Sequence, residues 1–266
     1  MSKYVTNQIN QDGLGSQYQR IICTILYADF YSKEFVYTKP DLKYVYGEED
    51  NYVENIMNIS KFFKSVEEID KTLLEVVNFW DAYSTLDNNI DYFMNSSILK
   101  KIINIFKENK NINILDNKYN NIVIHIRRPS LHKNIDIPEH HGLNDVKNMN
   151  LQDIVNINKD FPRFTDNHYY LDIINKIRNK YTSKQNIFHI VSEGNIDFFK
   201  DFFADDVIFH LNENLNDTLL IMVLSDILVM SNSSFSYAAA LLNENKIIYQ
   251  KFWHKKASHW LISNEI

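Results

Sequence analysis

The sequence predicts an α/β chain. Its C-terminal half reads as a parallel, doubly wound sheet, and its N-terminal half as reduced and helix-rich. Three observations carry this. From Asn167 onward, short apolar strands alternate with short amphipathic helices, the pattern of a parallel sheet covered by helices. Before that alternation stands Asn121-Ile122-Val123-Ile124-His125-Ile126-Arg127-Arg128. Ile122, Ile124 and Ile126 fall on one face of an extended chain, and Val123, His125 and Arg127 on the other. Between residues 48 and 108 apolar side chains recur mostly at helical spacing. Phe62, Phe63, Val66 and Ile69 begin the series, and Leu73, Val76, Val77 and Trp80 continue it.

Composition bounds the function. The chain has 266 residues, enough for one large or two small domains, and 45% hydrophobic residues, enough for a sizeable core. A net charge of −6 argues against a general nucleic-acid binder. Cys23 is the only cysteine, so neither an intrachain disulfide nor a four-cysteine zinc site can form. The N-terminus lacks a basic segment followed by an apolar run, so no secretory signal is expected. Leu219 to Met230 is the most apolar stretch, but it is short and contains Asp226, so no membrane span is expected. The expectation is a soluble, cytoplasmic protein.

Taken in order, Tyr4 to Ile9 reads as a first strand. Gln11 to Gln17 is a turn with Gly13 and Gly15, two of only five glycines, and it enters a helix through Ile21, Ile22, Ile25 and Leu26. Such a turn presents free backbone N–H groups where anions bind; a plain tight turn is the other reading. Glu34 to Thr38 is the next strand, ended by Pro40. The polar, Asn-rich stretch 107–121 is the expected junction, dividing the chain into domains 1–115 and 116–266. Residues 129–162 contain no clear element. They hold His132, Asp136, Glu139, His140 and His141 at no standard metal spacing, and a long polar loop that orders over ligand is the expectation. Tyr169 to Tyr181 is a helix, Ile187 to Val191 a strand with Ser192-Glu193-Gly194 as its exit, and Ile196 to Phe203 a helix. Val207 to Leu211 is a strand, and Asp217 is the expected cap of a helix from Thr218 to Leu224. Ile227 to Met230 is a strand, Ser231 to Ser234 leads into a helix through Ala238 to Leu241, and Lys246 to Tyr249 is the last strand.

Two features carry chemistry. His125, Arg127 and Arg128 interrupt an apolar strand at its C-terminal end, where ligands of open α/β sheets sit. Arginines on a strand end that merely reaches solvent are the alternative. Ser231-Asn232-Ser233-Ser234 lies between a strand end and a helix start, and its hydroxyls and N–H groups suit a phosphate oxygen. The same residues are good helix caps, and the two uses can coexist. If the two strand ends are neighbours, guanidinium groups and serines face one crevice and can neutralise a diphosphate without a metal.

These residues resemble a family. His125-Ile126-Arg127-Arg128 resembles the H-x-R-R motif of inverting fucosyltransferases that use GDP-fucose, of the α-1,2 and α-1,6 type. Gly13-Leu14-Gly15-Ser16-Gln17 resembles their N-terminal G-x-G-x-Q turn. Phe188 to Glu193 resembles a strand ending in Ser-Asp or Ser-Glu. Asp226-Ile227-Leu228-Val229, followed by Asn232-Ser233-Ser234-Phe235-Ser236, resembles the A-D-x-x-(V/I)…(N/T)-S-S-F-S segment. Arg163-Phe164-Thr165 with Tyr169 and Tyr170 resembles a connecting R-(Y/F)…Y-Y stretch. The motifs occur in the family's order over most of the chain.

The resemblance implies a GT-B-like enzyme of two Rossmann-like domains facing a cleft, inverting, metal-independent and without a cofactor. Its partners are a nucleotide-sugar donor and a glycan acceptor. Arg127 and Arg128 would hold the donor diphosphate, His125 would lie near the nucleotide, and Asn232, Ser233 and Ser234 would form the phosphate turn. Gly13, Gly15 and Ser16 would lie beside the donor. Arg127, Glu139 and Glu193 are the catalytic candidates, the carboxylates as possible proton acceptors beside Asp136. The family usually places Asp two residues after the second arginine, where this chain has Ser130. A different nucleotide-sugar donor, or a catalytically silent nucleotide- or carbohydrate-binding protein, are the alternatives.

Overall fold

A computed structural model describes residues 2–10, 13–40, 56–128 and 164–266. The chain divides into two units, each built on its own parallel sheet.

The first unit begins with β1 (Tyr4–Asn7), α1 (Leu14–Phe30) and β2 (Glu34–Phe35). β3 (Leu74–Val77) follows a run of short 3-10 turns, then come α2 (Phe79–Asn88), α3 (Ile90–Met94) and α4 (Ser97–Lys107). The three strands run parallel in the order β2-β1-β3. β3 corrects the helical reading of Leu73, Val76, Val77 and Trp80. Four residues fit either period, and Leu74-Glu75-Val76-Val77 takes its ladder from β1 rather than from its neighbours in sequence. Trp80 does belong to a helix, whose first turn is capped by Asn78, the side chain accepting the Trp80 N–H at 2.8 Å. α1 is buried on nearly every side, so it is an interior helix and its apolar residues form no single stripe. Cys23 lies fully inside it, and burial pushes its thiol pKa well up, which leaves it unreactive.

The second unit contains β4 (Asn120–His125), α5 (Asn167–Lys180), β5 (Asn186–Ser192), a 3-10 helix (Ile196–Phe202), β6 (Val207–Leu211), α6 (Leu215–Leu224) and β7 (Ile227–Val229). α7 (Ser234–Leu242) and β8 (Lys246–Ile248) follow in the chain. The sheet order is β6-β5-β4-β7-β8, all parallel. Counted from β4 this is 3-2-1-4-5, the doubly wound order whose switch point lies between β4 and β7. Ile122, Ile124 and Ile126 pack on one face with Tyr170, Ile173 and Ile177 of α5 and with Phe199 and Phe202. Each such side chain withdrawn from water contributes about 1.5–3 kcal/mol. The cap of α6 is Asn214, whose side chain accepts the Asp217 N–H at 2.9 Å, so the helix starts earlier than the sequence suggests and Asp217 sits in its first turn. On the other face His189 is held between Asn121 Oδ1 (3.2 Å) and His210 Nε2 (3.0 Å).

The second unit comprises residues 113–233, 245–250 and 261–266. Residues 1–112 form the first unit together with two later segments, 234–244 and 251–260. The break falls inside the polar 107–121 stretch, but the two returning segments depart from a division at 115/116. Packing explains the return. A Cβ on Gly15 would stand 2.5 Å from Phe235 Cα, so α1 and α7 meet backbone to backbone. In residues 251–260, the His254 ring stacks on Tyr237 with centroids 4.7 Å apart and hydrogen-bonds Gln19. Asp87 accepts the Lys255 N–H at 3.1 Å, and Asp91 the Ser258 N–H at 2.7 Å.

Candidate functional site

β4 and β7 are neighbours, so the chain leaving each strand emerges at one place. There Arg127 Nη1 donates to Ser233 Oγ at 3.2 Å, and His125 Nδ1 lies 2.8 Å from Ser231 Oγ. Ser231 and Ser233 are buried, whereas Arg127 is only partly buried. Burial, and then the neighbouring Arg127 charge, push His125 down to about 3, so its ring is neutral at physiological pH. A neutral ring offers one donor and one acceptor, and adds no charge beside the guanidinium. The result is a partly buried cation and buried hydroxyls at the switch point of a doubly wound sheet, which suits a phosphate group.

Arg128 takes a different place from its neighbour. It is 4% exposed, and its guanidinium donates to Arg127 O (2.9 Å), Thr165 O (3.0 Å) and Asn167 Oδ1 (2.6 Å). Asn167 in turn donates to Phe198 O (2.9 Å) and Asp201 Oδ2 (3.1 Å). Arg128 thus joins the residues that leave β4 to those that start α5, and bonds the backbone of Arg127 itself. Both terminal nitrogens of Arg128 are thus engaged inside the protein, whereas Arg127, the expected primary contact to a diphosphate, bonds the serine turn. The signal in the sequence was strand alternation, which turns adjacent residues to opposite faces. The partners Thr165 and Asn167 carried no such signal.

The remaining candidates fall in several places. Glu193 follows β5 and is half-buried, one strand from the exit of β4, where Ser192 Oγ donates to Ile126 O at 2.6 Å. Asn232 is half-buried between the two serines, and Ser234 is the first residue of α7. Gly13, Gly15 and Ser16 belong to the first unit. Gly13 is the N-cap of α1 with an ordinary φ of −65° and open space where a Cβ would stand, whereas Gly15 is required by Phe235. Glu139, Asp136, Ser130, Arg163 and the histidines at 132, 140 and 141 lie outside the described residues, as does the 129–162 loop expectation. Two adjacent aspartates, Asp205 and Asp206, precede β6, and Asp206 is held by Arg178 through two contacts of 2.6 and 2.9 Å. Among the described residues no group of three or more His, Cys, Asp or Glu is arranged to hold a metal ion. No described helix is long and apolar enough to cross a membrane.

Fold and site together define an α/β chain of two units, each on its own parallel sheet, the second doubly wound with Arg127, His125 and the serine turn gathered at its switch point. No family model and no curated protein matches the chain. Among solved structures it is similar to the α-1,6-fucosyltransferase NodZ soaked with GDP-fucose. The identity is 11%, over 91% of this chain and 93% of that one, with a TM-score of 0.41. It is also similar to fucosyltransferase NodZ from Bradyrhizobium, at 9% identity over 91% and 94% of the two chains and a TM-score of 0.43. A third is POFUT1 in complex with GDP-fucose, at 10% identity over 98% and 97% and a TM-score of 0.44.

Proposed function

We propose that this protein is a glycosyltransferase that holds a nucleotide-sugar diphosphate at the ends of β4 and β7 and transfers the sugar with inversion. The observation that carries the reading is the Arg127–Ser233 pair beside a neutral His125 at the sheet's switch point. In the reaction the bond from the sugar C1 to the phosphate oxygen breaks, and its electron pair leaves with the nucleoside diphosphate. The acceptor hydroxyl oxygen attacks C1 from the opposite side and gives up its proton. Arg127 stabilises the charge that develops on the leaving oxygen, an interaction stronger in the transition state than before it. A cation fixed on the protein does this without a metal. Glu193 and Glu139 are the carboxylates proposed for the proton, and each is tested by its Gln variant.

The order of the motifs supports fucose from GDP-fucose as the donor and a glycan hydroxyl as the acceptor. Thermal shift against a panel of nucleoside diphosphates and their sugars, followed by release of the diphosphate, tests this. GDP and GDP-fucose are expected to raise the melting temperature most, since a ligand at about 100 times its Kd adds roughly 2.7 kcal/mol. Release of GDP from GDP-fucose unaffected by EDTA is expected; activity lost to EDTA and restored by manganese would refute metal independence. Ser130, in place of the family's acidic residue, favours a second reading, a binding protein without turnover. Saturable GDP-fucose binding with no hydrolysis or transfer would establish that instead.

A further inference from the structure

The first unit contains a cavity of about 300 Å³ that no part of the transferase reading uses. It lies between the C-terminal half of α1, the start of β2, the 62–64 turn and α4. Strand ends that carry ligands in open parallel sheets are the C-terminal ones. This cavity opens instead beside Glu34, where β2 begins.

Its floor is apolar and buried. Ile25 is 1% exposed and Phe35 5%. Phe35 and Phe63 meet edge to face with centroids 5.1 Å apart, leaving ring surface for a further edge-to-face or offset contact. Phe62, 40% exposed, stands at the opening. Three lysines, Lys33, Lys64 and Lys101, line the cavity with two carboxylates, Asp29 and Glu34. Lys64 is matched by Glu34 at 2.8 Å, and Lys33 is paired with Glu75. Lys101 meets the Phe63 ring, its Nζ 4.8 Å from the centroid, and has no carboxylate partner among the described residues. Pockets for small organic ligands begin at about 300 Å³ and combine an apolar lining with a few placed polar groups. That size holds one or two fused rings.

We propose that this cavity is a second binding site, taking a small ligand with an apolar, ring-sized body and one anionic group, with Lys101 as the counter-ion. Every residue of the site belongs to the first unit, so the proposal stands whether or not the chain transfers a sugar.

The test uses the full chain labelled at isoleucine methyls, titrated with 2-naphthoate and with its uncharged counterpart 2-naphthol. Saturable shifts at Ile25 and Ile98 are expected with naphthoate, at one equivalent per chain, and at least tenfold weaker binding of naphthol. Lys101→Glu is expected to weaken naphthoate at least tenfold and leave naphthol as in the parent. Phe62→Ala, at the exposed opening, is expected to weaken both probes. Shifts that fail to saturate, or that scatter beyond the cavity, overturn the proposal. So does equal affinity for the two probes in the parent, or naphthoate binding indifferent to Lys101→Glu. Should Lys101→Glu fail to fold, the naphthoate-to-naphthol ratio in Lys101→Gln decides, and a ratio unchanged from the parent refutes the role of Lys101.

Discussion

Arg127 and Arg128 are adjacent in sequence and are expected to fail in opposite ways when replaced. Arg128→Ala removes a guanidinium that is 4% exposed and makes three hydrogen bonds of 2.6–3.0 Å. Hydrogen bonds to charged groups contribute about 1.5–3 kcal/mol each, and the acceptors left behind are desolvated. The three are not additive, and breaking a buried charged network typically costs about 3–5 kcal/mol. For a domain of this size that lowers Tm by roughly 6–20 °C. Arg128→Lys is expected to recover little, because one ammonium cannot span Arg127 O, Thr165 O and Asn167 Oδ1. Arg127→Ala removes a partly buried group bonded to a hydroxyl at 3.2 Å, which costs about 1.5–3 kcal/mol, less than the loss of the Arg128 network. Its effect is expected in turnover, lowered on the order of 10²–10³-fold, with poor rescue by Lys. Melting temperature, donor Kd and transfer rate for both Ala variants decide the matter. If Arg127→Ala binds and turns over donor like the parent, the crevice is misassigned. If Arg128→Ala keeps its Tm but loses the donor, the buried clasp is not what Arg128 does.

Three further outcomes are expected. His125 and His189 are held down to about 3 and about 4, both chiefly by burial, while in the unfolded chain they titrate near the usual 6.5. The unfolded state takes up protons first as pH falls. Stability is therefore complete above about pH 6.5 and is lost toward the folded values, at about 1.4 kcal/mol per pH unit for each ring; urea unfolding at pH 7 and pH 5 should reveal the slope, and His125→Gln should reduce it. Gly15→Ala is expected to destabilise the protein by about 1–3 kcal/mol through overpacking against Phe235, while Gly13→Ala, with open space at its Cβ, carries only the smaller cost of an alanine at the N-cap; equal Tm values would contradict the close approach of α1 and α7. His254→Ala should release the 251–260 segment, raising amide exchange at Lys255 and Ser258, which Asp87 and Asp91 bind; exchange as slow as in the parent would mean that the carboxylates hold it alone.

Much of the second unit was legible in the sequence because its signals are local. Apolar runs of strand length, punctuated by Asn, Ser and Asp, specify β5 to β8 almost residue by residue. Strand alternation alone separates Arg127 from Arg128. The candidate site was legible for the same reason: a histidine and arginines at the end of an otherwise apolar strand, and serines just before a helix, are visible without neighbours. Only the tertiary structure decided the rest. Leu74-Glu75-Val76-Val77 is a strand because β1 supplies its hydrogen bonds from some seventy residues away. Gly15 reads as an anion-turn glycine in sequence, and its close approach to Phe235 is visible only in the fold. Residues 234–244 and 251–260 leave the unit that precedes them because α7 packs on α1 and α4, and His254 and Lys255 bond Asp87 of α2, a choice that periodicity does not encode. Above all, the sequence offered Arg127 and Ser233 as separate candidates 106 residues apart. The sheet order, which sets β4 beside β7, brought them to 3.2 Å, because contacts between distant strands depend on the global packing and leave no trace in the local pattern.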